Sequence, residues 1–211
     1  MANKMKSLIL SAAHINDYDF LINLLENDDF FIICADGGYK HIEKLNITPD
    51  LVIGDFDSFQ KEKINCREII TLPVEKDDTD TFFAVKEAMR RGCSEIYIAG
   101  GIGSRLDHTF ANIETLLYIK NNGGEGYLIN ENNKAFVLSN DSIKLKKEKK
   151  YISLFSLLPI SKGITLKGMK YSLENFDLRS DSILGTSNEI INEFCEIIVT
   201  DGCLLVILSE D

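Results

Sequence analysis

Short, continuous apolar runs alternate with amphipathic segments along the first part of the chain. The run at residues 30–33 lacks polar alternation, which is typical of strands buried on both faces of a parallel sheet. We expect strands at residues 7–11, 30–35, 51–53, 68–72 and 95–99. This alternation of strands and helical patterns predicts a mostly parallel, three-layer α/β domain at the N-terminal end.

Three segments between these strands have helical periodicity. The predicted helices, with the apolar faces we expect them to bury, are 17–27 (Phe20, Leu21, Leu24, Leu25), 78–91 (Phe82, Val85, Met89) and 109–120 (Phe110, Ile113, Leu117). The second helix should end at Gly92, because two arginines before a glycine complement the negative end of a helix and stop it.

From residue 126 onward helical periodicity is nearly absent, and short β patterns are separated by Asn, Gly and Asp turns. We expect strands at residues 127–130, 135–139, 142–145, 151–158, 164–166, 196–200 and 204–208. A run of strands after alternating elements predicts a second, all-β sandwich domain. The predicted domains are therefore 1–125 and 126–211, with the boundary region at 121–133.

Composition narrows the class of protein. The chain has 211 residues, 45% of them hydrophobic, and a net charge of −10, which argues against nucleic acid or an anionic membrane as partner. The N-terminal apolar run is too short for a signal peptide, and no run approaches the roughly 20 residues of a membrane span. The five cysteines have neither zinc-site spacing nor a Cys-x-x-Cys pair, so we expect free thiols in a cytoplasmic protein.

Four aspartates follow two of the predicted strands. Asp55 and Asp57 point the same way from extended chain, and Asp77 and Asp80 are neighbours on one helix face. Two such charges about 4 Å apart repel by roughly 4 kcal/mol at an effective dielectric near 20. We therefore expect a hard divalent cation such as Mg²⁺, which arrives with nucleotide phosphates. The alternative for Asp77 and Asp80 is that they only complement a helix N-terminus.

Asp36, Gly37 and Gly38 end the second predicted strand. The glycines permit close backbone approach, and Asp36 is a candidate ligand for a ribose hydroxyl or a base. An ordinary turn capped by Asp36 is the alternative, and on this motif alone it is the stronger interpretation.

Residues 100–108 form a glycine turn that leads into a predicted helix. Backbone N–H groups around Gly101 and Gly103 would face phosphate, and Arg105 adds a bidentate donor. The segment is neither a P-loop nor a Gly-x-Gly-x-x-Gly fingerprint. His108 is a candidate ligand contact or a structural histidine.

Taken in order, these motifs resemble the thiamine pyrophosphokinase family. The series comprises Asp-Gly-Gly, Gly-Asp-Phe-Asp-Ser, Lys-Asp-x-Thr-Asp, Gly-x-Arg-x-Asp-His, Lys-Tyr-x-Leu and Ser-Asn, and it extends from Ala35 to Asn188. The resemblance implies an α/β domain followed by a β-sandwich. It also implies a Mg²⁺-dependent cytoplasmic homodimer, with the active site at the interface, that converts ATP and thiamine to AMP and thiamine diphosphate.

The resemblance also assigns residues by position. It implies a metal and phosphate site at Asp55, Asp57, Asp77 and Asp80, and nucleotide contacts at Lys76, Arg105 and Asp107. It implies a thiamine pocket that includes Tyr171, Thr186, Ser187 and Asn188. Asp55, Asp57, Asp80 and Arg105 are the expected catalytic residues.

Two rival functions share parts of this pattern. A pyrophosphokinase acting on a pterin alcohol would keep the nucleotide and metal residues and differ in the pocket around Ser187 and Asn188. A non-catalytic nucleotide or thiamine sensor would have no need of the full acid set with Lys76 and Arg105. Formation of AMP with each alcohol separates these alternatives.

Overall fold

The structure is a computed structural model that describes residues 5–56 and 64–211. The chain divides into two compact units, Met1–Glu131 and Asn132–Asp211, here called the first and second units.

The first unit is an α/β fold. Its elements are β1 (Met5–Leu10), α1 (Asp19–Asn27), β2 (Phe31–Ala35), a 3-10 helix (Asp36–His41), α2 (Ile42–Leu45), β3 (Leu51–Gly54), β4 (Glu68–Thr71), α3 (Asp80–Arg90), β5 (Cys93–Ala99), α4 (Leu106–Asn121) and β6 (Glu125–Ile129). The strands pair in the order β6-β5-β1-β2-β3-β4, and each neighbouring pair in this order is parallel. The predicted parallel sheet is confirmed.

Both faces of this sheet are covered, because successive side chains of a buried strand point to opposite sides. On one face, Leu8 and Leu10 of β1 join a buried cluster with Leu21 of α1 and Ile42 of α2. On β1 itself, Ile9 between them is fully buried as well. Helix α3 packs against β1, β2, β3 and β5, and α4 against β6. Two helical layers therefore enclose the sheet.

The face of α4 differs from the prediction. Its buried residues are Asn112, Thr115, Leu116 and Ile119, and Phe110 is 62% exposed. Apolar residues surround most of this helix, so their spacing does not define one face. The buried face of α4 is the one that packs on β6. Ile119 lies so close to this strand and the turn before it that a Cβ at Gly124 or Gly126 would be 2.8 Å from the Ile119 side chain.

The segment predicted as the first strand of the β domain, 127–130, lies instead in the first unit. Strand β6 pairs in parallel with β5 from Glu95 opposite Glu125 to Ala99 opposite Ile129. The division between the two units consequently falls between Glu131 and Asn132, inside the predicted boundary region but beyond residue 126.

The second unit is all β. Its strands are β7 (Asn133–Ser139), β8 (Ser142–Lys146), β9 (Tyr151–Ser156), β10 (Ile160–Lys167), β11 (Leu173–Arg179), β12 (Asn188–Glu189), β13 (Phe194–Ile198) and β14 (Cys203–Ser209). They form two antiparallel sheets with the orders β12-β9-β14-β7 and β11-β10-β13-β8. Strands β11 and β12 have no counterpart among the predicted strands, because most side chains of β11 are polar or exposed.

All five cysteines are free. Within residues 5–56 and 64–211, every helix is too short or too polar to cross a lipid bilayer.

Candidate active site

A cleft lies where the strand order of the first unit reverses. From β1 the chain proceeds through β2, β3 and β4 on one side, and β5 and β6 then extend the sheet on the other. Loops leaving neighbouring strands at such a reversal diverge and leave a crevice at their carboxyl ends. The cleft measures about 650 Å³ and is lined by the loops that follow β1 and β5, with Asp36 after β2 and Asp80 at the start of α3.

The glycines of the two predicted nucleotide motifs pack against the loop that follows β1. A Cβ at Gly100, whose φ is +66°, would lie 2.3 Å from the carbonyl oxygen of Ser11. A Cβ at Gly38 would lie 1.9 Å from the carbonyl oxygen of Leu10. Side chains at these positions are therefore excluded by protein backbone, before any ligand is considered.

Two aspartates from separate segments converge on one lysine. The Nζ atom of Lys76 lies 2.8 Å from Oδ1 of Asp80 and 3.3 Å from Oδ2 of Asp55. The three side chains are 15%, 25% and 16% exposed, respectively. Burial opposes the lysine's charge, but the hydrogen bonds and charges of Asp80 and Asp55 outweigh it and raise the pKa of Lys76. The lysine ammonium offsets the repulsion between the two carboxylates.

Local packing holds each aspartate in place. Phe56, which follows Asp55, has a left-handed φ of +58° and packs against the core of the first unit. Thr79 caps α3 by accepting a hydrogen bond from the backbone N–H of Phe82 at 3.1 Å. Because Thr79 supplies the side-chain cap, the carboxylate of Asp80 is not needed to cap α3, and Asp80 lines the cleft.

The other two predicted metal ligands are Asp57 and Asp77, and the structure describes only the second of them. Asp57 lies outside the described residues, as does Ser58 of the same motif. Asp77 is exposed, and the neighbouring Asp78 forms an ion pair with Lys86. Their predicted roles as metal ligands stay predictions.

Asp36 lines the cleft as the first residue of the 3-10 helix, with a left-handed φ of +44°. Strained backbone of this kind in a residue other than glycine concentrates at functional sites. The N-cap residue of this helix is Ala35, which makes no side-chain cap hydrogen bond, and the choice between a ligand contact and an ordinary turn at Asp36 stays a prediction. Gly54 accommodates Asp36, because a Cβ there would lie 3.2 Å from its Oδ1. Gly37 similarly faces Ala12.

Arg105 lies at the rim of the cleft and is held by Asp107. Its Nη2 and Nε atoms donate to the two carboxylate oxygens at 2.6 and 3.2 Å. This hydrogen bonding lowers the pKa of Asp107 to about 2, so the carboxylate is charged at neutral pH. Both side chains are largely exposed. His108 also lines the cleft, together with Gly101 and Gly103.

Several cleft residues carry no motif and were missed by the sequence prediction. Ser11 bonds through its hydroxyl to that of Thr81 at 2.8 Å, which ties the loop after β1 to α3. Buried Asn112 donates to the carbonyl oxygen of Gly101 at 2.8 Å and fixes the glycine turn. The only sequence signal for residues 11–14 is their position directly after the first predicted strand.

The predicted thiamine residues form a compact group within the second unit. Buried Asn188 accepts hydrogen bonds from the backbone N–H groups of Tyr171 and Glu189 at 3.0 and 2.9 Å, and donates to the carbonyl oxygen of Tyr171 at 2.7 Å. Its side chain therefore fastens Tyr171, whose own side chain is 61% exposed.

Thr186 and Ser187 are exposed next to Asn188. Ser187 has a left-handed φ of +56°, and its backbone N–H donates to the hydroxyl of Ser153 at 2.9 Å. The group thus offers two hydroxyls and one aromatic ring to a ligand, on a backbone fixed by Asn188 and Ser153.

The described residues contain no cluster of three or more His, Cys, Asp or Glu side chains arranged for a metal ion. The oxygen-only pair Asp55 and Asp80 nevertheless suits Mg²⁺, which commonly binds one or two carboxylates and completes its shell with phosphate and water.

Comparisons with known proteins agree with this division of the chain. Residues 22–128 match the family model described as thiamin pyrophosphokinase, catalytic domain. Residues 141–204 match thiamin pyrophosphokinase, vitamin B1 binding domain. Over 187 residues the chain is 30% identical to thiamine pyrophosphokinase of Bacillus subtilis (strain 168), covering 85% of this chain and 87% of that protein.

Solved structures give the same result. The crystal structure of thiamine pyrophosphokinase from Bacillus subtilis superposes with a TM-score of 0.86 at 25% identity, over 98% of this chain and 99% of that one. A thiamin pyrophosphokinase family protein from Enterococcus faecalis superposes with a TM-score of 0.84 at 27% identity, over 99% and 100% of the two chains. The similarity therefore extends over both units.

Proposed function

Because the chain belongs to the thiamin pyrophosphokinase family, we propose that its first-unit cleft positions ATP for pyrophosphate transfer. The enzyme makes thiamine diphosphate from thiamine and ATP and releases AMP. The observation that carries the assignment of the site is the pairing of Asp55 and Asp80 with Lys76, because Asp80 lines the cleft at the sheet reversal.

Different residues in and around the cleft would contact different parts of the nucleotide. Lys76 and Arg105 would supply positive charge for the phosphate oxygens, and the glycine turn would add the backbone N–H of Gly101, whereas that of Gly103 donates to the hydroxyl of Thr109 at 3.3 Å. Asp36 and His108 line the cleft and would contact the ribose or base. Pyrophosphate transfer needs in-line positioning and charge neutralisation, which these groups provide without covalent catalysis.

The proposed metal is Mg²⁺, held by Asp55 and Asp80 with Asp57 and Asp77 as further candidate ligands. When bound, it would neutralise charge on the phosphate oxygens. With the charge of Asp55 and Asp80 offset in this way, the ammonium of Lys76 would be available to the phosphate oxygens. An aspartate of this set is the candidate base for the thiamine hydroxyl, which attacks the β-phosphorus as AMP departs.

The second unit supplies the thiamine pocket in this proposal. Tyr171, Thr186 and Ser187 present an aromatic ring and neutral hydroxyls to the vitamin, and Asn188 holds their backbone. The negative charge of the aspartates in the first unit suits a substrate that carries a permanent cation.

The working form is a homodimer with the active site at its interface. Each unit carries large apolar side chains that are exposed in the single chain, namely Leu106 and Phe110 in the first unit and Ile183, Leu184 and Ile191 in the second. Exposed apolar residues of this size favour association with a second copy. We also propose that the enzyme works in the cytoplasm, where five free thiols stay reduced.

The assay that tests this function measures AMP with each component omitted in turn. We expect AMP and thiamine diphosphate only when thiamine, ATP and Mg²⁺ are all present. Equal turnover of a pterin alcohol would favour the sister activity, and nucleotide binding without AMP would favour a sensor. Either result would overturn the proposal.

Mixed dimers test the shared site. If one site uses both subunits, mixing Asp80→Asn and Asn188→Asp chains should restore part of the lost activity, measured at a thiamine concentration near the wild-type KM, where both variants are slow. No recovery after subunit exchange, checked by mass spectrometry of tagged chains, would place each site within one chain.

A further inference from the structure

Three consecutive carbonyl oxygens of the loop after β1 are bound by two adjacent side chains of the 3-10 helix. His41 Nε2 lies 3.1 Å from the carbonyl oxygen of Ser11 and 3.0 Å from that of Ala13. Lys40 Nζ donates to the carbonyl oxygen between them, that of Ala12. All three loop residues line the cleft. Among the residues that the structure describes, His41 and Lys40 do not line it.

The hydrogen bonds fix the protonation of His41. Both partners of Nε2 are carbonyl oxygens, which only accept, so Nε2 carries the proton. The other ring nitrogen, Nδ1, lies 2.7 Å from the hydroxyl of Tyr18 and accepts from it in the neutral ring. His41 is only 1% exposed, and this burial lowers its pKa, so the ring is neutral at physiological pH. The imidazole is thus a fixed donor behind the loop.

The opposite side of the same loop is fastened to β5. The backbone N–H of Ser11 donates to the carbonyl oxygen of Ala99 at 2.8 Å, and that of Ala13 donates to Gly100 at 2.9 Å. With N–H groups engaged on one side and carbonyls on the other, the loop has one orientation. A released carbonyl oxygen of Ser11 or Ala13 would be free to turn toward the cleft, whereas that of Ala12 shares a planar peptide with the bonded N–H of Ala13 and is held from both sides.

We propose that His41 and Lys40 are positioning residues for the nucleotide: they hold the carbonyl oxygens of residues 11–13 behind the loop, so that the anionic polyphosphate meets none of them. This inference rests on the proposed function and adds a specific cause of ATP affinity. A carbonyl dipole that faces a phosphate oxygen is repulsive, and a low-dielectric cleft strengthens the repulsion. Neither residue touches the ligand, so their effect appears in nucleotide binding and not in the chemical step.

The first test replaces the donor. In His41→Leu the carbonyls of Ser11 and Ala13 lose their partner, and we expect Mg-ATP to bind about tenfold more weakly by calorimetry without thiamine. His41→Gln keeps an N–H donor near the Nε2 position and should recover most of the affinity. In steady-state assays the KM for ATP should rise, with kcat and the KM for thiamine nearly unchanged.

The second test uses an exposed position, because His41→Leu risks impaired folding. Lys40→Met removes the donor to Ala12, and because the bonded N–H of Ala13 still restrains that peptide, we expect a smaller loss than in His41→Leu, about threefold weaker Mg-ATP binding. The matched control is Lys44→Met, which removes the same charge from an exposed site in α2 and should leave affinity unchanged. Equal losses in both variants would assign the effect to general electrostatics and overturn the positioning role.

The outcomes also separate this inference from the proposed function. A wild-type chain that forms AMP but whose His41→Leu and Lys40→Met variants bind Mg-ATP normally would overturn the inference alone. A folded wild-type chain that binds no nucleotide would overturn both.

Discussion

The two units use polar side chains in opposite ways. In the first unit, the charged groups of Asp80, Asp55 and Lys76 pair with one another beside an open cleft. In the second unit, the side-chain amide of Asn188 forms hydrogen bonds with the backbone of Tyr171 and Glu189. The first arrangement can exchange its partners for a ligand, whereas the second fixes the shape that a ligand meets.

This contrast predicts different consequences of substitution. Replacing a charged cleft residue should reduce catalysis and leave the fold intact, because its partners are other cleft groups. Replacing Asn188 should reduce stability and substrate affinity together, because buried backbone groups lose their partners. The predictions below test this distinction, beginning with the largest expected effect.

Asp80→Asn should lower kcat by about 100-fold or more, because it removes a charge that the proposed metal and Lys76 both use. The matched control is Asp78→Asn, two residues earlier, whose partner is Lys86. We expect that control to stay within about threefold of wild type, because an ion pair that is partly open to solvent and away from the proposed ligand contributes little to turnover. AMP release at saturating ATP, thiamine and Mg²⁺ measures both variants. Equal losses would mean that acidity at the helix start matters and the cleft position does not.

Asn188→Asp should raise the KM for thiamine about 10- to 100-fold and lower the thermal midpoint, since the amide donor to Tyr171 is replaced by a buried acceptor. Mg-ATP affinity, measured by calorimetry, should stay at the wild-type value, because the described contacts of Asn188 lie in the second unit. A change in thiamine affinity without a change in stability would assign Asn188 to direct ligand contact instead.

Gly103→Ala should weaken Mg-ATP binding about tenfold, because the new Cβ would lie 2.7 Å from the Cβ of Ala13 and displace that loop. Adding Ala13→Gly removes the clash and should restore affinity to within about threefold. Calorimetry on the two single variants and the double variant completes the cycle. If Gly103→Ala stays weak in the Ala13→Gly background, the glycine is needed by the ligand and not by the loop.

The sequence predicted what depends on local pattern. Unalternated apolar runs are sufficient for a buried parallel sheet, and acids directly after strands indicate a site at the carboxyl edge. The face of α4 was not predictable, because Phe110 and Ile113 have the same apolar character as the buried Leu116 and Ile119.

Hydrogen bonds between residues far apart in the sequence were also not predictable from the pattern of apolar and polar residues. The role of Asn188 depends on Tyr171, 17 residues away along the chain. Residues 11–13 have small side chains, and their importance comes from backbone carbonyl groups that His41 binds about 30 residues later. A sequence motif records side-chain chemistry, so it does not reveal sites made of backbone.

The smallest expected effect separates two carboxylates of the same helix. Glu87 of α3 is buried and accepts hydrogen bonds from Arg90 and Arg91 at 2.7 Å. These bonds, with that of Arg90 the strongest, overcome burial and lower the pKa of Glu87 from 4.5 to about 2. Glu87→Gln should leave kcat unchanged, in contrast to Asp80→Asn, and reduce the free energy of unfolding by about 1–3 kcal/mol at pH 7.

The pH dependence of that loss follows from linkage. Because the folded-state pKa of Glu87 is depressed, its stabilisation is complete above pH 4.5 and declines as the pH falls toward about 2. The difference between wild type and Glu87→Gln in urea unfolding should therefore be constant near neutral pH and shrink through that acidic window. A difference that stays constant down to the acid limit of folding would mean that the amide disturbs packing and that the charge itself contributes little.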